Sequence, residues 1–255
     1  MSEKESLVLE CYKLLNYIKN QKDLDMVYYS YEESLISIMI VFFKYYYVIT
    51  SDISKIIKSK NHPDNITLAI LSRTLLIILM DAWYIDGNKF KSERFLDFVN
   101  VKQYEVMVYL KEVNNNPYSD SENFIKTKYN EYLEKYKIPL NKKGEVIHSF
   151  LEDWSGKKIS DKLKCIAICN VGLDKKTLDS IYKRFQSSSN IANGNIKGYS
   201  DTFTYNTNEE DIDYQSDIIF TNLEFLKIFI NIVKLKNNNT IFNMINNLDN
   251  EFSNI

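Results

Sequence analysis

Leu7, Val8, Cys11, Leu14, Leu15 and Ile18 recur three and four positions apart, the spacing of residues that share one face of an α-helix. A second, longer helix is predicted from about Asp23 to Lys58; it is apolar nearly all round between Leu35 and Ile49, which places it in the middle of a bundle. Asn61-His62-Pro63-Asp64-Asn65 stops that helix and caps a third, which runs to Gly87. Phe95, Phe98, Val99, Val106, Tyr109, Leu110 and Val113 define a fourth, closed by Asn114-Asn115-Asn116-Pro117. Ser121-Glu122 opens a more polar fifth helix, in which Tyr129, Tyr132, Leu133 and Tyr136 make a thin apolar stripe, and Ile138-Pro139 ends it.

A short helix is expected around Val146, Ile147, Phe150 and Leu151, followed by a turn at Trp154-Ser155-Gly156-Lys157-Lys158. Helices then run from Ile159 to Val171, closed by Gly172, and from near Asp174 through Leu178, Ile181, Tyr182 and Phe185. Two final helices span about Asp213 to Lys236 and Thr240 to Phe252. Between Ser187 and Asp211 the period fails in a polar stretch rich in Ser, Asn and Gly, and a loop of that length within a compact domain is functional or disordered. The pattern therefore predicts an all-α protein: a single-core bundle of about eight or nine helices, one domain over residues 1–255, with a long polar loop near 187–211.

Composition narrows this further. Six glycines and three prolines in 255 residues are too few for the tight turns of a sandwich or barrel, and no Gly-rich phosphate loop is present. A net charge of −2 gives no global basic field, so any RNA or phosphate binding has to be weak and local. Charge is nonetheless blocked: Lys135 to Lys164 holds eight lysines against four acids, and Asp201 to Asp217 holds six acids with no lysine or arginine.

Two apolar stretches, Ser34 to Thr50 and Ile66 to Ile85, approach membrane-spanning length, but Lys44 interrupts one and Arg73 and Asp81 the other. Each ion would cost roughly 2.5–3.5 kcal/mol at a bilayer centre, so core helices rather than membrane insertion are expected. The acidic start Met-Ser-Glu-Lys-Glu-Ser is unlike a signal peptide, which points to a cytoplasmic protein with Cys11, Cys165 and Cys169 reduced.

Candidate chemistry is sparse. Cys165 and Cys169 share a helix face, but a zinc site needs further ligands and only His62 and His148 are present. Glu145-x-x-His148 lacks the second such motif a di-iron bundle requires. Ser187, Ser188 and Ser189 have no histidine near them in sequence to act as base. Neither metal nor cofactor is expected. Only Arg73, Arg94 and Arg184 among the 32 basic residues are arginine, and an arginine in a lysine-rich chain marks a position that uses a planar, multi-donor cation. Arg73 and Asp81 lie in an apolar helix and must find partners or an exit to water; Glu32, Glu33 or Asp97 are natural partners for Arg73.

The order Ser72-Arg73-Thr-Leu-Leu, Arg94-Phe95-Leu96-Asp97-Phe98, Trp154-Ser155-Gly156-Lys157, Ile181-Tyr182 and a serine-rich helix end resembles an uncharacterised family of prokaryotic all-helical proteins. Its members read Arg-Ser-Leu-Leu-Glu, Arg-Phe-x-Asp-Tyr, Trp-Ser-Gly-Lys and Ser-x-x-x-His-Gly, and the likeness covers roughly residues 65 to 200. This chain has Ile77 in place of the glutamate and Asn193 in place of the histidine. More distantly the layout is similar to helical nucleotide-binding and ribonuclease modules of toxin–antitoxin and phage-defence systems.

The resemblance implies a non-enzymatic accessory or interaction component of a prokaryotic or phage stress or defence system, working through a protein partner or as a homodimer. Its expected binding residues are Arg73, Arg94, Trp154, Lys157 and Arg184. The alternative is a metal-independent ribonuclease using Arg184, Ser189, Asn190 and Asn193; the carboxamide of Asn193 does not titrate, which removes the acid–base group such chemistry needs.

Overall fold

The computed structural model describes residues 2–21, 24, 34–59, 65–114, 121–169, 175–192, 213–235 and 237–255, without the side chains of 65–66, 114, 169, 175–176 and 187–192. Its elements are α1 (Glu3–Lys19), α2 (Ser34–Lys58), α3 (Asn65–Ile85), α4 (Lys89–Asp97), α5 (Val99–Asn114), α6 (Glu122–Lys135), a 3₁₀ turn (His148–Phe150), α7 (Ile159–Cys169), α8 (Lys175–Ala192), α9 (Tyr214–Val233) and α10 (Asn238–Ser253). The protein is all-α, as expected. Among the described residues the sole β feature is an isolated bridge between Leu140 and Val146.

The single domain expected over residues 1–255 is organised as two compact units, one of Met1–Asp86 with Leu163–Ile255 and one of Gly87–Lys162. In the first, α9 is the axis. It packs on α3, α1, α10 and α2, and Ile218, Leu223, Phe225, Leu226, Phe229 and Ile230 on it are buried. The Phe225 ring stacks on Tyr46 of α2 at 4.1 Å and Phe229 stacks on Phe43 at 4.8 Å. Tyr46 is fully buried, so its hydroxyl needs a partner; it donates to the Leu75 carbonyl of α3 at 2.8 Å. Ser2 and Glu5 start α1 with a reciprocal capping box, Ser2 N to Glu5 Oε2 at 2.8 Å and Glu5 N to Ser2 Oγ at 3.1 Å.

The second unit has its own core of Val101, Tyr129, Tyr132, Tyr136, Ile138 and Leu151, with Phe98, Tyr104 and Phe150 packed against it. The thin stripe of the fifth predicted helix is thus the centre of this unit. Tyrosine hydroxyls make such a core partly polar: Tyr136 donates to Asp97 at 2.7 Å.

Four boundaries differ from the pattern. The predicted fourth helix begins earlier, at Lys89, where the Asn88 side chain caps it, and it breaks at Phe98 into α4 and α5. The short helix expected near Val146 is a bridge and a 3₁₀ turn, because Asn141 accepts from the backbone N–H groups of Lys143 and Glu145 and folds the segment back. The loop expected from Ser187 is helical as far as Ala192, the end of α8: a helix nucleated by its apolar stripe propagates through polar residues at little cost. Residues 193–212, which the pattern assigns to that loop, and 23 and 25–33, which it assigns to the start of the second helix, lie outside the described residues.

Ser34–Lys58 and Thr67–Ile85 are long and apolar enough to cross a membrane by length and composition, and half and two thirds of those stretches are buried within the fold.

Candidate functional site

The expected binding residues fall in two groups, one in each unit. In the first unit, Leu178 and Ile181 anchor α8 to α3 and leave Arg184 at the margin of that buried face. Asp217 stands in the first turn of α9 and forms an ion pair with Arg184 Nη1 through Oδ1. The pair is asymmetric, with the aspartate side chain 1% exposed and the arginine 39%. Asp217 Oδ2 is buried and accepts no hydrogen bond among the described residues. Burial pushes this carboxyl up to about 6; Arg184 pulls the other way and Asp213 adds to the rise. Burial also acts to raise Asp213, but its bonds from Lys4 and Ser216 outweigh that and hold it below its ordinary value.

Arg73, on α3, is half-buried, and its guanidinium carbon lies 5.7 Å from the centre of the Phe185 ring, the residue after Arg184. Arg73 and Arg184 are thus brought onto one packed helix pair. Of the partners expected for Arg73, Glu32 and Glu33 lie outside the described residues. Asp97 is engaged elsewhere, accepting from Tyr136 at 2.7 Å and Lys135 at 2.9 Å.

The second unit joins Arg94 and Trp154. Arg94 Nε donates to the Tyr132 hydroxyl at 3.3 Å, and that hydroxyl donates to the Trp154 carbonyl at 3.4 Å. The Trp154 ring meets Phe95 edge-on at 5.2 Å. The turn itself is built by Asp153, whose Oδ1 accepts from Ser155 N at 2.8 Å and from Ser155 Oγ, while Ser155 Oγ accepts from Lys157 N at 3.2 Å. Lys162 is buried, pairs with Asp153 Oδ2 at 3.0 Å and lies 5.2 Å from the Trp154 ring centre. Lys157 is exposed on the turn.

The residues of the ribonuclease alternative are placed only in part. Ser189 and Asn190 continue the backbone of α8, their side chains undescribed, and Asn193 lies outside the described residues. His148 is exposed in the 3₁₀ turn, Cys165 is half-buried, and among the described residues no three His, Cys, Asp or Glu side chains are placed to hold a metal ion.

Sequence reasoning missed Asp217, Asp153, Lys162 and Tyr132 as members of these clusters. Asp217 carried a signal, since it lies three residues after Tyr214 and four before Thr221 on the buried face of α9. Asp153 carried another, being two residues before a serine in a turn. No protein-family model matches the chain, no curated protein matches it, and no solved structure matches it.

Proposed function

We propose that the chain is a non-enzymatic, cytosolic helical component of a prokaryotic or phage stress or defence system, acting through contacts with a protein partner or a second copy of itself. The pairing of Arg184 with Asp217 carries this reading. A ribonuclease that grips phosphate through Arg184 needs that guanidinium uncommitted, and here a buried carboxylate takes its charge. The assignment to a stress or defence system rests on the motif resemblance around Arg73, Arg94 and Trp154.

One observation favours the enzymatic alternative: a carboxyl pushed up to about 6 beside an arginine is the kind of group that serves as a general base. Its position weakens that role. Asp217 is 1% exposed, and a base must come within hydrogen-bond reach of the proton it removes.

The test is incubation of the purified full chain with labelled RNA in chelator, beside co-purification with the product of the neighbouring gene. The expected result is no cleavage above background and retention of the neighbour. Metal-free, multiple-turnover cleavage that is lost in both Arg184→Ala and Asp217→Asn would overturn the reading.

A further inference from the structure

The second unit holds a cation that is oriented by the fold yet has no carboxylate. Arg94 is fixed from two sides by buried tyrosines: its Nε donates to Tyr132 at 3.3 Å, and its guanidinium carbon lies 5.5 Å from the Tyr136 ring centre. Three acids of this unit, Glu93, Asp97 and Asp153, are committed to lysines. Lys135 takes Glu93 at 3.4 Å and Asp97 at 2.9 Å, and Lys162 takes Asp153 at 3.0 Å. Among the described residues, Arg94 has no ion pair, and its two Nη groups donate no hydrogen bond.

The turn over it is shaped to the guanidinium. Gly156 has φ +68, and a Cβ there would sit 2.8 Å from Arg94 Nη2, so a side chain would push the arginine aside. Glycine lets the backbone pass beside Nη2 alone. Lys157 and Lys158 follow immediately, both exposed. With Arg94 they place three positive charges around one turn, and the adjoining aspartate, Asp153, is neutralised by Lys162.

A part-buried guanidinium with a locked orientation and unused, parallel N–H donors is complementary to the edge of a tetrahedral oxyanion, which it binds in bidentate fashion. We propose that the Nη edge of Arg94, framed by Tyr132, Tyr136 and the Trp154–Lys158 turn, is an oxyanion site that takes the phosphate group of a phosphomonoester. The flanking lysines favour a dianion over a carboxylate or a singly charged diester. The proposal uses neither Arg184 nor Asp217 and does not depend on how the chain acts on partners.

The experiment is titration of the ¹⁵N-labelled full chain at constant ionic strength with inorganic phosphate, with a nucleoside 5′-monophosphate and with acetate, followed by amide shifts of Gly156 and Lys157. The expected result is saturable shifts with both phosphates, tighter for the one that is the natural source, and none with acetate. Arg94→Lys keeps a charge but loses the fork, and is expected to weaken binding at least about tenfold. Tyr132→Phe removes only the hydroxyl that holds Nε and is expected to weaken binding several-fold while the shifts elsewhere keep the native pattern. Absence of saturable shifts with either phosphate, or Arg94→Lys binding as tightly as the parent, would overturn the proposal.

Discussion

Arg184 of α8 meets Asp217 of α9 as an ion pair in which the acid is enclosed and the base reaches solvent, at 1% and 39% side-chain exposure. The enclosed partner sets the energetics, because water cannot replace a lost contact there. Replacing Arg184 by Met is expected to destabilise the protein by about 2–4 kcal/mol, while Arg184→Met with Asp217→Asn recovers most of the loss. Urea denaturation of both variants checks this; a double variant as unstable as the single one would show that the charge is not what matters.

The same pair gives a pH dependence whose sign is fixed. The folded value of Asp217, about 6, lies above its ordinary 3.8, so between those two values the native state holds a proton that the unfolded chain has released. Its contribution is complete below the unfolded value, declines as pH rises through the folded one, and is gone above it. The stability difference between the parent and Asp217→Asn is therefore expected to move against the parent by on the order of 1–3 kcal/mol between about pH 4 and pH 7. A difference that is flat over that interval would show that burial does not raise this carboxyl.

Gly156→Ala meets two penalties, the positive φ of +68 and the 2.8 Å approach of Arg94 Nη2. The expected loss is about 1–3 kcal/mol, read by thermal or chemical unfolding. At Gly144, φ is +80 but nothing lies within 4 Å of an added Cβ, so Gly144→Ala is expected to lose less. Equal losses at the two positions would mean that Arg94 yields freely.

Cys11 is fully buried, and burial pushes its thiol up to about 12. The thiolate is the reactive form, so Cys11 is expected to resist alkylation in the native protein and to react on unfolding. Peptide mass spectrometry after brief iodoacetamide treatment reads this directly, with half-buried Cys165 as the internal comparison. Modification of Cys11 as fast as Cys165 would place it at an opening of the bundle.

Tyr46 stacks on Phe225 at 4.1 Å and donates to the Leu75 carbonyl at 2.8 Å. Tyr46→Phe keeps the stack and is expected to lose about 1 kcal/mol, whereas Tyr46→Ala also opens a cavity and is expected to lose about 3–5 kcal/mol. Chevron or equilibrium unfolding separates the two; similar losses would assign most of the energy to the hydroxyl.

The sequence by itself determined the elements whose apolar residues repeat with helical period and whose ends carry strong stop signals. Leu7 to Ile18 on α1 and the apolar stripe of α9 were legible because burial of one face is encoded locally, whereas α2, expected in the middle of the bundle from its all-round apolar run, leaves Val41, Tyr45 and Val48 exposed. Tertiary structure decided what no local pattern carries: that α4 to α6 close around Tyr129, Tyr132 and Tyr136 as a second unit, and that Asp97 bonds Lys135 and Tyr136. It also decided that Asp217, 33 residues beyond Arg184, is the acid that takes its charge. Periodicity reports which face of a helix turns inward, but the identity of a charged partner depends on which faces meet, and that is settled only when the helices pack.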